Sequence, residues 1–510
     1  MNARPDTPRV LRTRAVSRLA LRGLAFMAFL ALGGCMSMAP TYERPPSPVA
    51  AAYPDAGAQA SSLPLAAPGW RGFFADPPMQ TLIARALEHN RDLRIAVARV
   101  EELRAAYGIQ RAEQFPSIGA VAEGSRTRVP ADLSATGKPM TSNTFKVGLG
   151  LNAWELDFWG RVRSLKDAAL ENYLAADSTR RAVTLSVITQ VANSYLALRE
   201  LDERLVLARK TSASHEESLR IFRRRVEVGS TSRLDLTQVE TLWLQARALS
   251  AELEQARAVQ ANALTLLVGM PVRLDPEPGY FDDAGVLREL RVGLPSELLF
   301  QRPDIMAAEQ QLKAANANIG AARAAFFPRI TLIGSYGTAS AELDGLFKDG
   351  SLAWSFAPSI SLPLFDGWRN SSNLDLSWAR RNTAVAQYEK TIQGAFRDVA
   401  DALAGRRWLG EQVEILHASV TVQAERARLA KLRYDNGAAA FLEVLDAQRD
   451  LLAMAQQLVQ TRRALLSSRV NLYAALGGDA PEAAAAGPAN AEPAPPLADQ
   501  LDTQQRGYAR

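Results

Sequence analysis

The sequence has few of the residues that perform catalysis, hold metals or form disulfide bonds. It contains one cysteine and three histidines among 510 residues, and a lone cysteine excludes an intrachain disulfide bond. His89, His215 and His417 lie far apart in predicted helices without metal-ligand spacing, and each is expected on a helix surface. The sequence also lacks a Walker loop and a nucleophile elbow. An enzyme is therefore the weakest interpretation, and no cofactor or metal ion is predicted.

Excess positive charge is confined to a segment that is expected to be removed. Residues 1–34 hold six arginines and one aspartate, a net +5 that equals the +5 of the whole chain, so residues 35–510 are about neutral. The arginine-rich start, the apolar run Leu24–Leu32 and the small residues Gly33-Gly34 are typical of a signal peptide, too short for a stable membrane anchor. Nothing in the remaining chain favours a nucleic-acid partner.

The only cysteine follows this leader directly. Leu32-Gly33-Gly34-Cys35 resembles the bacterial lipobox, which implies an S-diacylglycerol on the Cys35 thiol and, after cleavage, an N-acyl chain on the new amino terminus. The next residue is Met36, whereas an aspartate there would signal retention in the inner membrane. The sequence therefore predicts a lipoprotein of the outer membrane.

Proline and glycine are nearly missing from four long stretches, which are predicted to be helices. They are Arg161–Val228, Arg233–Val268, Arg369–Asn436, which has three glycines and no proline, and Ala438–Leu476. At 1.5 Å per residue, the third would be about 100 Å long, which a compact monomer cannot bury.

The last of these stretches carries two adjacent columns of apolar residues with a seven-residue period. The columns are Val444, Leu451, Leu458, Leu465 and Leu472, and Leu445, Leu452, Val459, Leu466 and Tyr473. Columns one residue apart point about 100° away from each other, so they can contact neighbours on both sides, as in the wall of a tube. A wide core-facing stripe in an ordinary bundle is the alternative.

Two regions alternate with the period of a β-strand instead. Phe145–Leu151 alternates apolar and polar residues, and a weaker partner begins near Pro116, with Arg128–Ser142 as a predicted loop. The second hairpin pairs a strand around Ile330–Tyr336 with a clearer one from Leu352 to Leu364, whose even positions are mostly apolar and odd positions small. An apolar face opposite a small polar face favours membrane strands over strands on a soluble core.

The sequence predicts two tandem repeats, each made of a helix, a β-hairpin, a long helix, a turn and a second helix. Gly229 matches Gly437 and Gly269 matches Gly477, both 208 residues further along the chain. The predicted domains are a signal peptide (1–34), a lipidated arm (35–78), a first repeat (79–269, hairpin about 116–158), a connector (270–303), a second repeat (304–478, hairpin about 328–366) and a disordered Ala/Pro-rich tail (479–510). The first repeat opens with a helical pattern over Met79–Gln114.

Four strands are too few to close a barrel. Membrane strands must close so that no backbone edge meets lipid, and closed barrels need at least about eight strands. Two, three or four chains would supply about 8, 12 or 16 strands, and only the wider barrels leave a channel. An oligomer is therefore expected.

Six segments carry motifs of a known family. They are Trp154-Glu155-Leu156-Asp157, Gly160-Arg161-Val162-Arg163, Pro363-Leu364-Phe365-Asp366-Gly367, Tyr434-Asp435-Asn436-Gly437, the segment Leu442–Arg449 and the segment Val470–Gly478. These motifs resemble those of the TolC-like outer-membrane factors, specifically their NodT-type lipoprotein branch. The resemblance covers about residues 35–478. It implies a mainly α protein with membrane β-strands, a homotrimer whose 12-stranded outer-membrane β-barrel continues as a periplasmic α-helical barrel.

The resemblance also implies partners and a function. The tunnel would dock on a periplasmic adaptor (membrane fusion) protein and an inner-membrane pump, commonly of the resistance-nodulation-division type. The channel would then passively conduct drugs or other small toxic solutes out of the cell and so support multidrug resistance.

Site residues follow from the same resemblance. The turns Val228-Gly229 and Asn436-Gly437 would be the tips that contact the adaptor. Asp235 and Tyr434 match a pair that hydrogen-bonds between neighbouring helix pairs, and Glu443 and Asp446 match two acidic rings of a periplasmic gate. The arginine that some relatives carry two residues after the second turn glycine is Ala439 here.

Two other functions are compatible with the sequence. A structural lipoprotein that braces the envelope explains the long helices and Cys35 but not an amphipathic hairpin in each repeat. A conduit of a type I protein-secretion system would use the same channel for another cargo. The sequence does not name the exported substrates, the pump or the way the gate opens.

Overall fold

The computed structural model describes residues 37–50, 52–53, 69–274, 286–288 and 298–478. The predictions for the signal peptide, for Cys35 and for the tail from residue 479 lie outside the described residues. Two compact units can be recognised. The first contains the described residues up to Pro48, Ile95–Arg180 and Asp304–Ile392, and the second contains those of Val49–Arg94, Arg181–Pro303 and the part from Gln393 onward. In the described ranges, no helix combines the length and apolar character needed to cross a membrane.

Helices and strands follow one another in the order of a repeat. The first half contains α1 (Trp70–Phe73), α2 (Pro77–His89), α3 (Arg91–Ala112), β1 (Ser117–Val129), β2 (Met140–Glu155), α4 (Arg161–Glu227) and α5 (Arg233–Val268). The second contains α6 (Leu298–Gln301), α7 (Pro303–Ala324), β3 (Arg329–Ser340), β4 (Leu352–Ser361), α8 (Arg369–Asp435) and α9 (Phe441–Ala475). Short 3₁₀ turns lie at Ala131–Leu133 and Leu343–Gly345. The mostly helical fold with two hairpins confirms the predicted fold class.

The helical pattern predicted over Met79–Gln114 is two helices rather than one. Asn90 ends α2 and caps α3, because its side-chain oxygen accepts a hydrogen bond from the Leu93 amide at 2.9 Å. Its side-chain nitrogen donates to the Leu267 carbonyl at 2.8 Å. Gly269 follows in the left-handed conformation (φ 78°), and a Cβ there would lie 2.3 Å from the His89 carbonyl oxygen. The break is therefore where α2 and the end of α5 pack against each other.

Aromatic residues contribute to a large buried cluster in the second unit. Phe73 and Phe74 are fully buried, and the Phe73 ring stacks on Tyr473 of α9 with centroids 4.6 Å apart. Val191 of α4 and Ile83 of α2 belong to the same cluster. Phe73 and Phe74 thus anchor residues 69–74 to the second unit. The burial of each phenylalanine contributes about 1.5–3 kcal/mol.

The two apolar columns of α9 are both used. Eight of their ten residues are buried, and only Leu451 and Leu452 are half-buried. Because the columns point in different directions, α9 contacts neighbours on two sides, as the seven-residue pattern predicts.

Strands β1 to β4 form one antiparallel sheet in the order β1-β2-β3-β4. The first hairpin lies within its predicted bounds of about 116–158, but its two strands are longer than the predicted alternation, since Ser117–Val129 pairs with Asn152–Met140 without interruption. The predicted loop over Arg128–Ser142 is too long at both ends, because Arg128–Val129 and Met140–Ser142 continue the ladder and residues 130–139 form the connection. The second hairpin pairs Ile330 with Ile360 and Tyr336 with Trp354, as its alternation predicts.

The register divides the sheet into two faces of different chemistry. The apolar face, as defined here, carries Ile118, Ala120, Ala122, Phe145, Val147, Leu149, Leu151, Ile330, Leu332, Tyr336, Leu352, Trp354, Phe356 and Ile360. The opposite, small-residue face carries mainly glycine, alanine and serine, with Glu123 opposite Lys146. Large side chains of the apolar face are exposed in the single chain, among them Trp354 at 72% and Ile360 at 71%. Such a face requires an apolar environment.

Both long helices after the hairpins begin at an aspartate and a glycine. Asp157 accepts hydrogen bonds from the amides of Val162 and Arg163 at 3.1 and 2.7 Å. Asp366 accepts one from the Asn370 amide at 3.0 Å. Gly160 and Gly367, at φ 70° and 66°, let the chain turn from strand to helix.

Two glycines face each other where the two hairpins join. Gly148 of β2 is the register partner of Gly337 of β3 on the small-residue face. A Cβ on Gly337 would lie 2.2 Å from the Val147 carbonyl oxygen, and a Cβ on Gly148 would lie 2.5 Å from the Tyr336 carbonyl oxygen. Backbone atoms cannot yield as side chains do, so this close approach of β2 and β3 requires glycine at both positions.

Gly337→Ala is expected to lower the free energy of unfolding by roughly 1–3 kcal/mol, the cost of forcing a methyl group into a filled space. Urea unfolding in detergent, followed by tryptophan fluorescence, measures it. Gly119→Ala is the matched control, because a Cβ at Gly119 meets nothing within 4 Å. Equal effects of the two substitutions would show that the glycine pair does not determine the approach of the strands.

Candidate functional site at the turns between the long helices

Both turns between long helices use the same hydrogen-bond pattern. The Gly229 amide donates to the Val226 carbonyl at 3.0 Å, and the Ser230 amide donates to the Arg225 carbonyl at 2.8 Å. In the second repeat, the Gly437 and Ala438 amides donate to the Tyr434 and Arg433 carbonyls at 2.9 and 2.8 Å. This is the Schellman arrangement, which satisfies the last carbonyls of a helix.

The glycines are needed for their backbone conformation, not for space. Gly229 and Gly437 have φ angles of 73° and 72°, and a Cβ at either would meet nothing within 4 Å. Their left-handed conformation favours glycine over a residue with a side chain. Val228 and Asn436, which precede them, are exposed. The four residues predicted to contact the adaptor therefore form two open turns.

The helices that follow the turns begin differently. Ser232 and Asp235 form a reciprocal capping box at the start of α5, in which the Asp235 amide donates to the Ser232 hydroxyl at 3.1 Å and the Ser232 amide donates to the Asp235 carboxylate at 3.2 Å. The hydroxyls of Ser232 and Thr231 also donate to this carboxylate, at 2.7 and 2.9 Å. These hydrogen bonds, the Ser232 side chain first, hold the pKa of Asp235 below its usual range.

The second repeat has lost this cap. Ala440 lies at the position of Ser232 and has no side chain that can cap α9. Glu443, which occupies the position of Asp235, instead forms an ion pair with Arg433 of α8 at 2.5 Å. Arg433 also donates to the Ala438 carbonyl at 3.3 Å, so it connects the end of α8, the turn and the start of α9. Both partners are largely exposed, and such pairs contribute about 0–1 kcal/mol.

A contact between the two helix pairs forms beside these turns. The guanidinium of Arg225 in α4 donates a hydrogen bond to the hydroxyl of Tyr434 in α8. Next to this hydrogen bond, the Phe441 ring packs against the rings of Phe222 and Tyr434, with centroid distances of 4.5 and 4.8 Å. A polar contact over an aromatic cluster therefore joins the two repeats near their turns, within one chain.

The acidic residues near the second turn are each paired within the chain. Asp446 contacts Arg449 at 3.2 Å, one helical turn away. Asp450 contacts Arg426 at 2.8 Å. No group of three or more metal-ligating side chains occurs in the described residues. In one chain these acids are compensated, so any ring of negative charge would depend on several copies of the chain.

The predicted gate residues Asp235, Tyr434, Glu443 and Asp446 lie in the helices next to the two turns, and no two of them form a hydrogen bond or ion pair with each other in one chain. Asp235 and Tyr434 have no contact with each other in one chain, since Asp235 serves the cap and Tyr434 binds Arg225. The predicted hydrogen bond between neighbouring helix pairs stays a prediction.

Arg225 was missed as a site residue, although the sequence contains a signal for it. It lies four residues before Gly229, as Arg433 lies four residues before Gly437, so the repeat placed an arginine at both helix ends.

One histidine is not where the sequence places it. His215 was expected on a helix surface but is buried, with 3% of its surface exposed. It continues the buried stripe of α4 formed by Ala208, Leu219 and Phe222. Burial lowers its pKa, so the neutral form is favoured at this interior position.

Acidification is expected to loosen the start of α5. Because the folded-state pKa of Asp235 is lowered, its carboxylate stabilises the cap above the ordinary aspartate pKa of about 4, and the contribution is lost as the pH falls through the lowered value. Hydrogen exchange of the amides of residues 232–236, corrected for intrinsic rates, should rise as the pH falls below the ordinary aspartate pKa of about 4. Asp235→Asn should lack this step, and an identical step in the variant would contradict the assignment.

Comparison with known proteins agrees with this architecture. The sequence profile of a family described as outer membrane efflux protein matches residues 82–270 and 294–478. The chain is 44% identical over 465 residues to the solvent efflux pump outer membrane protein SrpC of Pseudomonas putida, covering 90% of this chain and 98% of that protein. It is 43% identical over 457 residues to outer membrane protein OprJ of Pseudomonas aeruginosa, covering 89% and 95%.

A solved structure of similar fold is an outer-membrane channel. The open state of the MtrE outer membrane channel of Neisseria gonorrhoeae superposes with a TM-score of 0.78 at 39% identity, covering 87% of this chain and 98% of that one. The profile match, the relatives and the shared fold lead to one assignment. The chain belongs to the outer membrane efflux protein family, whose members are efflux channels of the outer membrane that extend into the periplasm.

Proposed function

We propose that three copies of this chain form the outer-membrane conduit of a tripartite efflux system. The observation that carries the proposal is the four-stranded sheet, which has one apolar face and two edge strands, β1 and β4, whose outer sides pair with no other strand of the described residues. A sheet edge in lipid leaves backbone amides and carbonyls without partners, each at a cost of several kcal/mol. Pairing β4 of one copy with β1 of the next removes every edge. Three copies supply about twelve strands, enough for a water-filled channel.

In this arrangement the apolar face meets lipid and the small-residue face lines the channel. Glycine, alanine and serine leave the lumen wide, while Trp354, Phe356 and Ile360 contact acyl chains. The channel is passive and performs no chemistry. An inner-membrane pump of the resistance-nodulation-division type, joined through a periplasmic adaptor that meets the turns at Gly229 and Gly437, supplies the energy.

The relatives suggest the cargo. SrpC is named for solvent efflux. By analogy, we expect this chain to conduct small apolar toxic solutes and drugs rather than folded or unfolded proteins.

The N-terminal arm supports the proposed lipid anchor at Cys35. Residues 38–44 run along α7 in the direction of β3, because Arg44 contacts Glu309 near the start of α7 and the Met38 carbonyl accepts from Arg323 near its end, at 3.2 Å. Between them, the Asn316 side chain donates to the Pro40 carbonyl at 2.7 Å. Following the arm toward its N-terminus therefore leads toward the strands, where an acyl chain on Cys35 would enter the same membrane.

One buried carboxylate holds this arm. Glu309 is 6% exposed and accepts hydrogen bonds from the Tyr42 hydroxyl at 3.0 Å and from Arg44 at 2.9 Å, with both of its oxygens used by the guanidinium. Burial and the adjacent Glu309 raise the pKa of Tyr42 well above its usual range, so its hydroxyl remains a donor. Gly320 leaves room for the arm, since a Cβ there would lie 2.7 Å from the Ala39 nitrogen.

Glu309→Gln is expected to weaken arm docking by roughly 1–3 kcal/mol, because a buried charge-assisted contact is lost. Hydrogen exchange at residues 38–44 should become faster. Glu102→Gln is the control, since Glu102 pairs with Arg99 at an exposed site where both side chains are about 60% accessible. Unchanged exchange in the Glu309 variant would remove this support for the anchor.

We further propose that the turns form the closed periplasmic end of the channel. In a trimer, Glu443 and Asp446 would recur three times around one axis, and crowded carboxylates attract cations. Arg225, Tyr434 and Asp235 would contribute polar contacts that keep neighbouring helix pairs together.

Single-channel conductance of the purified lipidated protein in a planar bilayer tests this function. The native protein should show a small, cation-favouring conductance. Asp446→Ala, and Tyr434→Phe combined with Asp235→Ala, should increase it. Glu425→Ala is the matched control, because Glu425 pairs with Arg428 in the same i,i+3 geometry as Asp446 with Arg449. Well-folded oligomers without any channel would favour a structural lipoprotein instead.

A further inference from the structure

A pair of arginines interrupts the apolar face of the sheet near one end of β1. Arg126 and Arg128 lie at the same alternate positions as Ile118, Ala120 and Ala122. Their register partners on β2 are Asn143 and Thr141, two polar residues. The apolar pattern of both strands therefore stops after the Gly124–Phe145 pair, and a basic and polar strip continues on the same face.

The end of the sheet that carries this strip points away from the helices. Helices α3 and α4 connect to the β1–β2 hairpin at Ser117 and Glu155, and the strip lies next to the opposite connection, residues 130–139. Because members of this family extend their helices into the periplasm, the connection between β1 and β2 lies on the outer side of the membrane. Arg126 and Arg128 are thus on the side of the outer leaflet.

Simple geometry gives the depth of the two side chains. From Ile118 to Gly124 the strand rises roughly 20 Å, and Arg126 and Arg128 lie about 7 and 14 Å further along it. With the usual strand tilt of about 40°, they stand roughly 5 and 10 Å beyond the apolar band along the membrane normal. This is the depth of lipid headgroups. An arginine on the lipid face costs about 2–4 kcal/mol at the bilayer midplane but about 0–1 near the interface, which agrees with this placement.

Neither guanidinium has a partner in the part of the chain that the structure describes. Arg126 and Arg128 are both exposed and make no side-chain hydrogen bond or ion pair there. Exposed helical arginines of the same chain are paired with acids, for example Arg220 with Glu217 at 2.6 Å and Arg428 with Glu425 at 2.8 Å. The nearest charged residue of β1, Glu123, lies on the small-residue face opposite Lys146.

We propose that Arg126 and Arg128 bind the phosphate groups of anionic lipid in the outer leaflet. A guanidinium donates two parallel hydrogen bonds to a phosphate and is weakly hydrated, so it suits this boundary better than an ammonium group. Thr141 and Asn143, beside them in the register, supply further hydrogen-bonding groups for a headgroup. The inference rests on the proposed function, because it requires that the apolar face meets lipid.

The test measures lipid retention by native mass spectrometry. Detergent-solubilised protein is titrated with lipid A, which carries two phosphates, and separately with phosphatidylcholine and with inorganic phosphate as a competitor. The native chain should retain lipid A, and Arg126→Gln with Arg128→Gln should reduce its affinity at least roughly tenfold, since charge-assisted hydrogen bonds are lost. Lys146→Gln, which removes a positive charge from the small-residue face of the same hairpin, should leave retention unchanged.

The outcomes separate this inference from the function on which it rests. Equal losses in the arginine and lysine variants, or equal retention of lipid A and phosphatidylcholine, would overturn the lipid site. Displacement of lipid A by millimolar inorganic phosphate would show a site for free phosphate instead, and would also overturn it. Channel conductance is measured on the same samples. If the native protein forms channels while lipid A retention does not depend on the arginines, only the lipid site fails, whereas a native protein without channels contradicts the proposed function itself.

Discussion

Backbone hydrogen bonding at the edges of the four-stranded sheet is the constraint on which the rest of the structure depends. One chain pairs β1 with β2, β2 with β3 and β3 with β4, and leaves the outer sides of β1 and β4 without a partner in the described residues. The exposed apolar face is favourable in contact with lipid. In lipid, however, an open sheet edge leaves backbone amides and carbonyls without hydrogen-bond partners. In the proposed trimer, the neighbouring copies of the chain supply the missing strand partners. The glycine pair Gly148 and Gly337 lets the two hairpins of one chain approach closely, so that β1 to β4 form one continuous sheet.

The two repeats keep what the backbone requires and differ where side chains can be exchanged. Both retain a left-handed glycine after a long helix, since the Schellman turn depends on it. The caps that follow have diverged, because Ser232 pairs with Asp235 in one repeat while Ala440 leaves Glu443 free to bind Arg433 in the other. Arg225 is the counterpart of Arg433 in the first repeat. Because Asp235 is bound to Ser232 there, Arg225 donates its hydrogen bond to Tyr434 instead. A small substitution at a helix start thus converts two equivalent turns into two different surfaces.

Much of this architecture could be predicted from the sequence, because regular elements leave periodic patterns. The long stretches with little or no glycine and proline, the seven-residue columns of α9 and the alternation from Leu352 to Ile360 each indicated the observed element. The strands of the first hairpin were predicted too short, since Ala120, Ala122, Gly124 and the polar residues beyond give weak alternation, and only pairing with β2 extends β1 to Val129. Contacts between distant helices had no such signal. The Arg225–Tyr434 hydrogen bond joins residues 209 positions apart, and the burial of His215 depends on the helices packed around it.

Covalent closure of the sheet edges tests the central claim most directly. Ser125→Cys in β1 is combined in turn with Ala353→Cys, Ser355→Cys or Ala357→Cys in β4, and membranes that contain the protein are treated with a short bifunctional thiol reagent. In this account the Cys35 thiol is blocked by its lipid and does not interfere. At least one pair should give a ladder of cross-linked products that ends at three chains, because β4 of each copy meets β1 of the next. Products that end at two or four chains, or cross-links confined within single chains, would contradict a trimeric twelve-stranded wall.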